Sequence, residues 1–132
     1  MRAFDSLGRY SPYALALLRI FTSLSFISHG TQKLLGFPQP PGSGLPAMFT
    51  LPWTAGVLEL VGGTLVLIGF LTRPSAFLLS GLMAVAYWMA HAPRSFYPLL
   101  NGGEAAMLFC FIFFYIFIAG PGAFAVDNSR KP

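Results

Sequence analysis

Four apolar segments, at about residues 13–35, 52–71, 74–92 and 102–119, hold or border six ionisable side chains: Arg19, His29, Lys33, Glu59, His91 and Glu104. A charge at the centre of a bilayer costs roughly 2.5–3.5 kcal/mol even on lenient insertion scales, so such residues turn toward a protein interior. The first segment reaches about 34 Å as a helix, enough to span hydrocarbon with some tilt. The sequence therefore predicts an all-α fold, an integral membrane four-helix bundle.

Composition agrees. Of the 132 residues, 55% are hydrophobic and only 9% charged, against about 25% charged in a soluble domain. A chain of this length builds one bundle, hence one domain. The formal charge of +4 comes from scattered lysines and arginines with no basic run, which excludes a nucleic-acid partner and leaves the lipid bilayer as the surrounding medium. Cys110 is the one cysteine; it allows no internal disulfide and no CxxC pair, and in an apolar run it reads as an inert packing residue. Arg2 and Arg9 precede the first segment, but that segment contains Arg19, runs too long and ends without a small-residue cleavage site. It reads as a span and not as a cleaved leader.

Breakers set the boundaries. Pro52 and Pro74 sit at helix starts, and Gly120-Pro121-Gly122 ends the fourth segment. The second and third segments are separated by a tight turn and must be antiparallel neighbours. The stretch 36–51 carries Pro38, Pro40, Pro41 and Pro46 and forms no ordinary helix, with its apolar end, 45–51, suited to lie at the interface. Four spans place both termini at one end. That end carries Arg2, Arg9, Arg73, Arg130 and Lys131, against Lys33 and Arg94 at the other. The positive-inside bias predicts that both termini are cytoplasmic and that the long loop faces outward. Trp53, Tyr87, Trp88 and Tyr97 would form an aromatic belt near the outer ends.

Depth and face then predict a polar pocket. His29, Lys33, Glu59, His91 and Glu104 fall at one level in the outer half, and Arg19 lies about 9 Å in from the inner end. Arg19, Thr22, Phe26, His29 and Lys33 recur at helical spacing and make one stripe. Gly56, Gly62 and Gly63 surround Glu59 and permit close approach of another helix. Glu59 is expected to face the first helix and pair with His29 or Lys33. Two readings stand side by side. The charges are pins that fix helix register, or they form a binding site that exchanges protons. Lys33 can also snorkel, and Glu104 suits a helix N-terminus in any case. His29, Glu59, His91 and Glu104 are metal-capable, but no HxxxH or ExxH spacing appears, and no metal is assigned. The phenylalanine-rich run 109–117 reads as a span that meets lipid or another subunit.

On these residues the chain resembles the DoxX family of small four-helix bacterial and archaeal membrane proteins. The similar features are Leu18-Arg19-Ile20, His29-Gly30 and Lys33-Leu34, then Gly56, Glu59 and Gly62-Gly63, then Gly69 and Thr72-Arg73, and finally Gly102-Gly103-Glu104, Gly120-Pro121-Gly122 and Asp127. The resemblance covers nearly the whole chain, 1–132. It implies a multi-pass protein of a bacterial or archaeal cytoplasmic (inner) membrane. Some members are similar to subunits of a thiosulfate:quinone oxidoreductase, and others are linked to redox partners. The resemblance thus implies a redox-linked subunit with a pocket for a quinone or other small molecule, or a non-catalytic accessory subunit of a larger membrane complex. The distantly similar vitamin K epoxide reductase type needs a cysteine pair, which this chain lacks.

Overall fold

A computed structural model describes residues 2–129, which are helical with no strand among them. A 3-10 stretch, Arg2–Tyr10, leads into α1 (Ser11–Leu35). Next come α2 (Leu51–Ile68) and α3 (Thr72–Ala86), which continues as a π turn (Tyr87–His91) and a short 3-10 turn (Ala92–Arg94). A single turn, α4 (Pro98–Asn101), precedes α5 (Glu104–Ala119), and a last 3-10 turn covers Val126–Ser129. Arg130 and Lys131, counted in the charge bias, lie outside the described residues. Among the described residues three helices are long and apolar enough to cross a membrane: Arg2–Leu35, Leu51–Ile68 and Thr72–Arg94. The fourth, α5, is apolar but about 24 Å long, short of a hydrocarbon core of about 30 Å.

Boundaries shift by a few residues for identifiable reasons. The second helix stops at Ile68 because Gly69 adopts the left-handed conformation (φ 71°) and its N–H closes on Val66. The third starts two residues before Pro74, which leaves that proline inside the first turn, where its missing N–H costs nothing. The fourth starts after Gly102-Gly103, which form the link from α4.

Small residues decide how the helices meet. A Cβ on Gly30 would lie 2.9 Å from the Leu60 nitrogen and 3.0 Å from the Gly56 oxygen, so α1 and α2 touch backbone to backbone there. One turn further along α2, Gly63 receives Ile27 and Gly62 receives Leu79, so α2 is wedged between α1 and α3. In lipid, such van der Waals contact replaces the hydrophobic drive as the glue between helices. The core runs through Phe26, Val66, Leu79, Met83, Phe113 and Ile116. Two close pairs result, α1 with α2 and α3 with α5, joined through α2–α3 contact. Between α1 and α5 contact is slight; it includes Phe26, whose ring meets Phe109 and Phe113 edge-on at 5.2 and 4.9 Å, and His29 against Phe109.

The end bearing the termini is closed by the segment after α5. Ala123 donates to the Pro12 carbonyl. Asp127 accepts from the Leu71 and Thr72 N–H groups at 3.0 and 2.9 Å and so caps α3 from a distance of 55 residues in sequence. Arg73 donates to the Phe117 and Ile118 carbonyls, which otherwise would end α5 unsatisfied.

Replacing Gly30 by Ala should force α1 from α2, because the atoms it would strike are backbone. We expect a loss of about 1–3 kcal/mol, read as a lowered unfolding midpoint in detergent, while Gly42→Ala, in open space, leaves the midpoint unchanged. Equal midpoints for the two variants would contradict the close α1–α2 contact.

Candidate functional site

At the end opposite the termini the bundle holds a cavity of about 360 Å³ lined from every helix of the bundle. Phe26, His29 and Lys33 come from α1, Glu59 from α2, Met83 and Ala86 from α3, Ala90 and His91 from the π turn, Gly102 from the link, and Ala105, Ala106 and Phe109 from α5. It begins at Phe26 and extends toward the end away from the termini.

Glu59 is its most constrained member. The residue is 1% exposed, and its Oε1 accepts from Lys33 Nζ at 2.5 Å. Gly56 makes the pair geometrically accessible: it sits one turn before Glu59 on the same face, and a Cβ there would lie 3.0 Å from Lys33 Cβ. Lys33 can therefore lay its stem on α2 and bring its ammonium to the carboxylate, keeping 29% of its side chain exposed. Glu59 Oε2 is buried and has no hydrogen-bond partner among the described residues. A buried acceptor without a partner costs about 1–3 kcal/mol; Arg19 Nε, Ser23 Oγ and Thr72 Oγ1 are also buried without partners, and of these four residues Glu59 is the one that lines the cavity. Between the two alternatives of the sequence reading, the geometry selects Lys33 as the direct partner.

His29 is more exposed and lies along the cavity edge, its ring edge-on to Phe109 at 5.7 Å. His91 is half-buried, with Nδ1 3.1 Å from the Asn101 carbonyl. The walls between these groups are aromatic and aliphatic. The site thus combines a carboxylate, an ammonium and two imidazoles around an apolar interior, the groups that bind a small polar headgroup and exchange protons with it.

The other two candidates lie elsewhere. Arg19 is fully buried near the terminal end, where Nη1 donates to the carbonyls of Pro121 and Ala123 (3.1 Å to the latter) and Nη2 to that of Phe124 at 2.8 Å. Its planar fork reads the carbonyls exposed by the Gly-Pro-Gly break. Glu104 is exposed in the first turn of α5, where the helix dipole favours a carboxylate, and it does not line the cavity. Among the described residues no three His, Cys, Asp or Glu side chains gather as a metal site would require. Cys110 is half-buried against Ser80, whose hydroxyl donates to the Cys110 carbonyl at 2.8 Å. It borders a separate apolar cleft of about 500 Å³ that also contains Tyr87, Trp88 and Phe96.

Asn101 was not singled out from the sequence. It is 1% exposed, and its amide donates to the Tyr87 hydroxyl and the Ser95 carbonyl while its Oδ1 accepts from Gly103 N–H at 2.7 Å. The available signal was an Asn before Gly-Gly, which reads equally well as an ordinary turn.

The family profile described as DoxX matches residues 14–92, more than half of the chain. The chain belongs to the DoxX family. It is 43% identical over 129 residues to an uncharacterized protein of Haemophilus influenzae, covering 95% of this chain and 96% of the relative. It is 31% identical to an uncharacterized membrane protein of Mycobacterium tuberculosis, covering 89% and 81%. It is 29% identical to an inner membrane protein of Escherichia coli, covering 83% and 86%. No solved structure matches it. The matched DoxX region contains Lys33, Glu59 and both histidines, so the polar side of the cavity falls within it.

Removing Lys33 alone leaves a buried carboxylate uncompensated. Lys33→Met should cost about 2–3 kcal/mol, below the fully buried value because the lysine is partly exposed. Lys33→Met with Glu59→Leu should recover most of that loss. Denaturant titration in detergent checks both; equal stability of the single and double variants would mean that the pair does not act as a unit.

Proposed function

We propose that this DoxX-family membrane protein is a redox-linked subunit whose cavity takes the headgroup of a quinone or another small polar molecule. The observation that carries the reading is Glu59 Oε2, a buried acceptor without a partner on a residue that lines a cavity. Size supports it, since 360 Å³ falls within the usual range for ligand cavities, about 300–1,000 Å³. Chemistry supports it as well. A six-membered ring with oxygen at its ends meets apolar walls at Phe26, Phe109 and Met83 and polar groups at Glu59, Lys33 and the two histidines. A bound quinone would supply two-electron chemistry; the chain's own groups hold and move its protons. Glu59 would accept a proton from a ligand hydroxyl, and Lys33 would balance negative charge beside it.

We further propose that both termini are cytoplasmic and that the cavity opens toward the outer face of a bacterial cytoplasmic membrane. Arg2, Arg9 and Arg73 at the terminal end support this orientation, as does the Escherichia coli relative's description as an inner membrane protein.

A second reading, an accessory subunit packed on a larger membrane complex, draws on one observation. The short α5 exposes Phe111, Phe114, Tyr115 and Ile118 on its outer side, and a neighbouring subunit would cover them and shield the ends of a helix shorter than the bilayer.

Glu59→Gln should keep the shape of the site and lose its anion. We expect the affinity for a short-chain quinol, whose hydroxyl can donate to the carboxylate, to fall tenfold or more in nanodiscs, since a hydrogen bond to a charged group is worth about 1.5–3 kcal/mol. Unchanged binding by a properly folded variant would remove the reading. Stoichiometric co-migration with a large complex under mild detergent would favour the second one, and a lone stable protein would count against it.

A further inference from the structure

His91 Nδ1 lies 3.1 Å from the Asn101 main-chain oxygen. A carbonyl oxygen only accepts, so Nδ1 must carry the hydrogen. When the ring is neutral, Nε2 then holds a lone pair, and it makes no hydrogen bond among the described residues. His91 lines the cavity. The tautomer therefore decides what this side of the cavity offers a ligand.

Three side-chain bonds hold the Asn101 carbonyl in place. Its amide ties back to Tyr87 Oη at 3.2 Å and to the Ser95 carbonyl at 3.0 Å, and its Oδ1 takes the Gly103 N–H at 2.7 Å. Tyr87 and His91 open and close the π turn, shut by Ala92 N–H on the Tyr87 carbonyl, and both reach Asn101 from it. Single π turns recur at functional sites, where they re-aim side chains. Gly103 completes the fit: a Cβ there would lie 2.7 Å from Asn101 Oδ1 and 2.8 Å from His91 Cβ.

We propose that Asn101 is the positioning residue of the cavity: it fixes His91 as the Nδ1–H tautomer and leaves Nε2 as a proton acceptor. Beside His29, the cavity then carries acceptors contributed by different helix pairs, Glu59 Oε2 from α2 and His91 Nε2 from the end of α3. Lys33, its ammonium already engaged by Glu59, is the one cation among them. Such a site prefers a ligand that brings its own hydrogens, a hydroxyl- or N–H-bearing headgroup, over the matching carbonyl form. This rests on the cavity being a ligand site, as proposed above. The tautomer is measured without any ligand, so the two ideas fail separately.

The test is nitrogen-15 magnetic resonance on the full chain, labelled at histidine and reconstituted in lipid. There are only two histidines, so His29→Gln leaves a single ring to observe. At a pH about two units above the ordinary histidine range (about 6.5), the expected result is a pyrrole-type Nδ1 and a pyridine-type Nε2. A pyrrole-type Nε2, or protons on both nitrogens, would overturn the proposal. In the same background, Asn101→Ala should mix the tautomers, and a signal unchanged by that substitution would also overturn it. Should the alanine variant not fold, Asn101→Asp keeps the acceptor for Gly103 but loses both donated bonds. It should shift the populations in the same direction, and an unshifted spectrum would count against Asn101.

Discussion

The carboxylate of Glu59, enclosed between apolar helices, sets conditions that much of the chain must meet. A lysine has to reach it from α1, so α1 must lie close enough to α2 for the two main chains to touch. That closeness requires glycine at 30 and at 56, which no side chain could replace without striking backbone or the lysine stem. An apolar pair at positions 33 and 59 would pack α1 on α2 at no desolvation cost, and buried ion pairs are often neutral or worse beside such replacements. The pair is therefore poorly explained as a device for stability. With Oε2 left over after Lys33 is bonded, the charge is more informative as part of a cavity than as part of a joint.

The two ends of the bundle place their buried polar groups against different neighbours. Near the termini, Arg19, Arg73 and Asp127 each meet backbone groups that chain breaks had exposed. Most of these donors and acceptors are matched, although Arg19 Nε and Thr72 Oγ1 are buried without partners among the described residues, and the last segment ties α1, the α2–α3 turn and α5 into one plate. At the far end the polar side chains meet one another, and the unpartnered Glu59 Oε2 belongs to a residue that lines a cavity. The binding proposed above falls where unpartnered polarity borders open space, and the closed end provides the rigid frame that holds the open end in register.

This contrast also explains what the sequence could and could not convey. Segment positions, their apolar character and the inward turn of Glu59 follow from composition and helical spacing, both local properties. The role of Arg19 does not, because its partners are carbonyls about a hundred residues away, and carbonyls leave no mark in a sequence. Helical segmentation places Glu104 in the first turn of its helix, but its facing does not follow from sequence, since a residue at a helix start can point toward any side until the preceding link is known. Asn101 escaped for a related reason. Its three bonds depend on a π turn, and nothing in Tyr87–His91 distinguishes that turn from ordinary helix.

The cavity itself is made by leaving side chains out. Along α3 and its π turn the inward positions read Leu79, Met83, Ala86 and Ala90, and along α5 they read Ile116, Phe113, Phe109 and Ala106 toward the same end. Side-chain volume falls on both helices in the same direction, from a filled core near Leu79, Phe113 and Ile116 to alanines and Gly102 at the open end. Helices held at one end by the Arg19 plate and at mid-height by Phe26 cannot collapse onto those alanines without giving up the packing below. The space is thus fixed by rigid neighbours and does not depend on an occupant. Its polar groups, Lys33, Glu59 and His91, all belong to the part of the chain that the DoxX profile matches, whereas the α5 wall that bounds its size lies beyond residue 92. The chemistry the cavity offers and the shape of what it admits are consequently carried by different stretches of sequence, and substitutions in α5 can alter the second without touching the first.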